Sequence, residues 1–162
     1  MPSLYATTIP GFLHSLSALS KILEKGRVYA DENGVAHEEI TGARLAPDML
    51  PLTGQIQRAS DTARFAAVRV GGMEPKPLAD EEKTFADLQQ RISATRDYLK
   101  AVPSDSFDGK EDIEVKAAGQ VFTGLTYISF FAVPNFYFHV TTAYDILRHK
   151  GVPVGKLDFL GG

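Results

Sequence analysis

Ile9, Phe12, Leu13, Leu16, Leu19 and Leu23 recur at the intervals that line one face of an α-helix. Thr8 is placed to cap this helix, Pro10 suits its first turn, and Gly26 reads as its end. His14 falls opposite the apolar stripe, beside Lys21 and Lys25, and is expected to face solvent. From Val28 to Ala46 no helical period survives, and Asp31-Glu32-Asn33-Gly34 reads as a turn inside a long connection.

A second helix is predicted from Asp48, as its cap, to about Val70. Met49, Leu52, Ile56, Ala59, Ala63, Ala66 and Val70 form its buried stripe, and Gly71-Gly72 follows. The alanines point to a closely packed neighbour. A second line, Leu50, Gln57, Asp61 and Val68, mixes polar with apolar residues and suits a polar pocket or a subunit interface. Beyond the Pro75-Lys76-Pro77 link, Asp80-Glu81-Glu82 suits the N-terminus of a third helix carrying Phe85, Leu88, Ile92, Leu99 and Val102 on one side.

The period then changes. Ile113 to Lys116 alternates, Ala118-Gly119 supplies a turn and Val121-Phe122 returns, which predicts a short β-hairpin. The apolar run from Leu125 to Phe131 meets Pro134, where the helix should break or kink and restart at Asn135. Phe136, Val140, Ala143 and Leu147 form the buried side of this last helix. Arg148, His149 and Lys150 occupy its final turn before Gly151, and Arg148 and Lys156 are positioned to tie down the C-terminal segment. The predicted fold class is mainly α: a bundle of four main helices, with the hairpin before the last, in one domain over residues 1–162.

Composition narrows the function classes. Apolar residues make up 44% of the 162-residue chain and charged residues 23%, a globular balance. A net charge of −3 with scattered basic residues gives no footprint for nucleic acid. The absence of a spanning apolar run or a signal-peptide pattern argues against a membrane and for a cytoplasmic protein. Without cysteine there is no disulfide, thiolate metal site or cysteine nucleophile.

The run from Phe136 to Lys156, with His139, Tyr144, Arg148, Gly151 and Gly155 in place, and the segment Arg44 to Met49 resemble the family catalogued as domain of unknown function 1993. That family is similar to the DinB/YfiT-like superfamily. The resemblance implies a four-helix bundle, often dimeric, and a metalloenzyme relationship. In metal-binding relatives one histidine comes from the second helix and two from an H-x-x-x-H pair on the last. Here His139 matches the second position of the pair and Asn135 stands at the first. The second helix offers Gln55, Gln57 and Asp61 but no histidine. Amides are poor substitutes for imidazole toward zinc or nickel, so no metal is assigned and no cofactor is legible.

Three readings follow. In the first, a pocket between helices, lined by Gln57, Asp61, Asn135, His139 and Tyr144, binds or transforms a small organic molecule, with His139 as general acid/base or ligand contact. The blander reading of His139 is a buried histidine satisfied by a neighbour, and that of Asp61 an ion pair with Arg58 or Arg64. In the second, His139 joins a degenerate metal set of a metal-dependent enzyme. The third is a non-catalytic homodimer whose aromatic excess, from Phe130 to Phe138, forms subunit contacts.

Overall fold

The structure, a computed structural model, describes residues 3–162. Its elements in chain order are α1 (Ile9–Asn33), α2 (His37–Thr41), α3 (Leu52–Arg69), α4 (Phe85–Lys100), β1 (Glu114–Ala117), β2 (Gln120–Thr123), α5 (Gly124–Tyr127), a π-helical turn (Ile128–Ala132), α6 (Val133–His149) and α7 (Lys156–Phe159). The long helices α1, α3, α4 and α6 make a bundle: α3 packs on α4 and α6, and α1 packs on the same two. The apolar stripes predicted from the sequence meet inside it, with Leu16, Leu19, Leu23, Ile56, Ala59, Ala63, Leu88, Ile92, Phe136, Ala143 and Leu147 all buried.

Several boundaries differ from the sequence expectation. Gly26 does not end α1, which continues to Asn33 and closes on Gly34 at φ 63°. A Cβ at Gly26 would lie 2.9 Å from Leu147 and 3.5 Å from Phe85, so the glycine lets α4 and α6 approach the middle of the helix. The expected long connection is therefore mostly helix, α1 and then α2. Its period is hidden because beyond Gly26 α1 buries only Ala30 and ends on the exposed Asp31, Glu32 and Asn33. Thr8 occupies the N-cap position, but its hydroxyl donates to Leu4 O at 2.7 Å instead of capping.

Asp48 does not cap α3. Pro51 holds that position without a side-chain cap. Nor does Asp80-Glu81-Glu82 begin α4: Thr84 does, in a reciprocal capping box with Asp87 at 3.1 and 3.0 Å. Of the acidic residues before it, Asp80 and Glu82 pair with Arg91 instead, at 3.1 and 2.8 Å.

The hairpin forms as expected, Val115 opposite Phe122, with Ala118 (φ 50°) and Gly119 (φ 74°) both left-handed in its two-residue turn. Its buried Val115 and Ala117 supply the attachment that an isolated hairpin lacks. At Pro134 the helix neither breaks nor restarts at Asn135. The preceding turn widens, Val133 N–H donating to Ile128 O five residues back, and the chain stays helical into α6. Beyond α6, Arg148 donates to Val154 O at 2.7 Å, Lys25 pairs with Asp158 at 2.7 Å, and exposed His14 bonds Leu160 O at 2.8 Å, which ties the C-terminal segment onto the bundle.

Candidate functional site

His139 projects from α6 toward α3, half-buried, with Nδ1 2.7 Å from Gln55 Oε1. Gln55 is itself oriented: its amide nitrogen donates to Leu50 O at 3.1 Å, so its oxygen faces the imidazole. An acceptor at that position requires Nδ1 to carry the proton. The Nε2 lone pair is then left free, and it has no hydrogen-bond partner among the described residues. Burial, reinforced by the nearby Arg58 charge, lowers the His139 pKa from its ordinary value, so the ring is neutral at pH 7.

One turn earlier on α6, Asn135 donates to Thr62 Oγ1 at 2.8 Å, and Thr62 in turn donates to Arg58 O at 2.7 Å. Gln55 and Thr62 are thus the α3 partners of the two polar residues on α6. The sequence places Gln55 on this helix but shows neither pairing. The signal was present, because Gln55 flanks the Leu52, Ile56 and Ala59 stripe whereas Gln57 and Asp61 lie well round the helix from it.

Gln57 and Asp61 look the other way, toward α4 and the segment before it. Gln57 donates to Glu82 at 2.9 Å. Asp61 pairs with Arg64 and, at 2.8 Å, with Arg91, which also meets Glu82 at 2.8 Å. Burial works against the Glu82 charge, but hydrogen bonds from Arg91 and Gln57 outweigh it and hold its carboxyl below the ordinary range. Tyr144 belongs to neither group. It lies roughly 140° round the helix from His139 at 3.6 residues per turn, and its ring packs edge-on against Phe159, 6.0 Å away. The five residues singled out from the sequence therefore do not line one pocket.

Asp61 and Asn135 do share a cleft of about 190 Å³ in the groove between α3 and the α5–α6 stretch. Arg58, Phe65 and Arg69 line its α3 side, Tyr127 and Phe131 the facing side, and Ala118 of the hairpin turn closes one end. His139 lies one turn beyond Asn135 along the same groove. A larger cleft of about 440 Å³ beside the N-terminal half of α4 has Glu82 and Arg91 in its wall, groups already committed to each other.

The family described as domain of unknown function (DUF1993) matches residues 4–160. The chain belongs to this family. Its fold is also that of a crystal structure of a DinB family member from Shewanella denitrificans, 38% identical, with a TM-score of 0.92 over 98% of this chain and 92% of that one. A comparison with curated proteins gives no match.

The DinB relationship raises the question of a metal, and the donors of this DUF1993 chain do not fit one. The α3–α6 positions hold one imidazole and two amides. The Gln55 oxygen is occupied by His139 Nδ1–H, and Asn135, whose amide nitrogen donates to Thr62, has only a neutral amide oxygen to offer. Among the described residues no group of three histidine, aspartate or glutamate side chains is arranged to hold an ion. A single free imidazole nitrogen falls short of the three or four good ligands that zinc or nickel sites use.

Proposed function

We propose that this DUF1993 chain binds a small organic molecule in the α3–α6 groove without a metal, and that His139 Nε2 is the acceptor that receives a hydroxyl or N–H of that ligand. One observation carries the proposal: the Leu50–Gln55–His139 relay fixes the imidazole tautomer and leaves a neutral nitrogen without a partner among the described residues, one helical turn beyond the Asn135 wall of the cleft. Gln55 would satisfy the Nδ1–H of a purely structural imidazole as well; the ligand reading rests on Nε2, which has no partner among the described residues although the ring is only half-buried. Asn135 and Asp61 stand in the groove wall, and the lowered His139 pKa keeps the acceptor unprotonated at neutral pH. The same arrangement would serve as a general base if the ligand is transformed. Cytoplasmic placement is part of the same proposal, compatible with the lack of any described helix long and apolar enough to cross a membrane.

The test is a fragment screen by protein-observed NMR on the full chain. Groove amides of Thr62 and Asn135 should shift with at least one hydrogen-bond-donating fragment, and His139→Ala should weaken that binding while leaving the fold intact. No fragment shifting the groove would refute the reading.

A second reading, a homodimer, draws on the large exposed apolar side chains: Phe130 is 75% and Phe138 54% exposed on the last helical stretch, and Leu125 and Val121 lie open nearby in sequence. Light scattering at micromolar concentration decides it, since a monomer would remove the reason for such a surface.

A further inference from the structure

Arg69 differs from the other arginines of α3. Arg58 and Arg64 each face a carboxylate, Asp61. Arg69 has no carboxylate partner among the described residues; its single hydrogen bond goes to the neutral Tyr127 hydroxyl at 3.1 Å. Two rings hold it in place, Phe65 with its centre 4.8 Å from the guanidinium carbon and Tyr127 at 5.6 Å. Among the described residues the remaining guanidinium donors have no partner, and none of them is sealed away from solvent.

Its surroundings are open. Arg69 lines the 190 Å³ groove cleft and also a second cleft of about 380 Å³ beneath the hairpin, which contains Lys116. Ala118 is common to both, so the two clefts meet at Arg69. The nearest groove carboxylate, Asp61, lies about two helical turns away and is already neutralised by Arg64 and Arg91. A preordered, unpaired fork of donors in a concave, partly aromatic site matches a planar carboxylate better than any neutral group.

We propose that Arg69 is the anion-recognition end of the α3–α6 groove, and that the molecule bound there is an organic carboxylate whose apolar part lies on Phe65 and Phe131. The assignment rests on the groove being a ligand site at all, as set out above. Phenylacetate and its neutral isostere phenylacetamide separate the two ideas when titrated into isotope-labelled full-length protein, with the Arg69 Nε–H and the Thr62, Phe65 and Tyr127 amides as readouts. Phenylacetate should bind the groove about tenfold or more tightly than phenylacetamide, the scale of one charge-assisted hydrogen-bonded contact. Arg69→Gln should erase that preference, and Arg69→Lys, which keeps the charge without the fork, should keep part of it. Circular dichroism melts of both variants establish that they are folded. Equal binding of the two probes, or a preference that survives Arg69→Gln, overturns the anion assignment and leaves the groove reading standing. If neither probe reaches the groove while the fragment screen finds another occupant, the anion assignment alone falls.

Discussion

Arg91 places its guanidinium 2.8 Å from Asp61 while only 1% of its side chain meets solvent. It also bonds Glu82 and the Ala79 carbonyl, so one arginine joins α3, α4 and the irregular strap between them. Removing one member of a buried pair typically costs about 3–5 kcal/mol, because the abandoned charge stays behind. Arg58 and Arg64 would still face Asp61. Arg91→Met should therefore destabilise the chain at the lower end of that range, about 3 kcal/mol in urea unfolding. A loss below about 1 kcal/mol would show that the cluster behaves as a solvated surface network.

Glu82 gives this cluster a pH signature. Its carboxyl is depressed in the folded chain, so the unfolded chain takes up the proton first as pH falls. The stabilisation is fully present above the ordinary glutamate value and is lost as pH drops through the folded value. Thermal melts should accordingly decline below about pH 4.5, and Glu82→Gln should flatten part of that decline. An unchanged acid limb in the variant would show that Glu82 carries no folding linkage.

His139 titrates in a higher window. Its folded pKa lies below the unfolded value near 6.5, so the unfolded state is protonated first and stability falls as pH drops from about 6.5 through the folded pKa. Imidazole NMR should show a proton on Nδ1 and an apparent pKa below the ordinary one. Gln55→Glu would place a carboxylate against Nδ1 and should reverse the shift, raising the pKa. A His139 that titrates identically in both proteins would show that Gln55 does not orient it.

The apolar framework was readable because Leu16, Ile56, Ile92 and Phe136 sit at helical intervals whose partners are other stripes. Gly26 was misread for the converse reason. In one dimension a glycine that ends a helix and a glycine that admits a neighbour look alike, and only Leu147 and Phe85 distinguish them. The site suffered similarly: spacing identified Asn135 and His139 on one face of α6, but which α3 residues meet them depends on the register of two helices far apart in sequence. Hence spacing points to Gln57 and Asp61 rather than to Gln55 and Thr62, although the partners of Gln57 and Asp61 are Glu82, on the strap before α4, and Arg91, on α4.

That register makes Gly26 a direct test of the packing. Gly26→Ala gains up to about 1 kcal/mol of helix propensity but drives a methyl to 2.9 Å from Leu147. Overpacking of a tight core costs about 1–3 kcal/mol. The net result should be destabilising, read as a lower urea midpoint. A stabilised variant would show that the Leu147 side chain yields to the added methyl and that α1 and α6 are not tightly packed there.

The donor set of the α3–α6 groove argues against a resident metal, and it can be rebuilt to check that argument. As it stands, the protein should hold less than about half an equivalent of zinc or nickel, since one free imidazole nitrogen cannot replace three ligands. Chelator should leave its melting temperature unchanged, because a metal bound only by the folded state would raise stability. Gln55 touches His139, and Asn135 lies one turn before it on the same face of α6. Converting Gln55 and Asn135 to histidine therefore gathers three imidazoles at one place. The metal-free double variant loses the Gln55–Leu50, Gln55–His139 and Asn135–Thr62 hydrogen bonds and should be weaker by about 1 kcal/mol for each. Zinc at a hundredfold excess over its Kd would return about 2.7 kcal/mol, seen as a zinc-dependent rise in melting temperature that the parent chain does not show. Stoichiometric metal in the parent chain, lost on His139→Ala, would overturn the argument from the donor set, because Gln55 would then have to turn its oxygen from His139 to an ion.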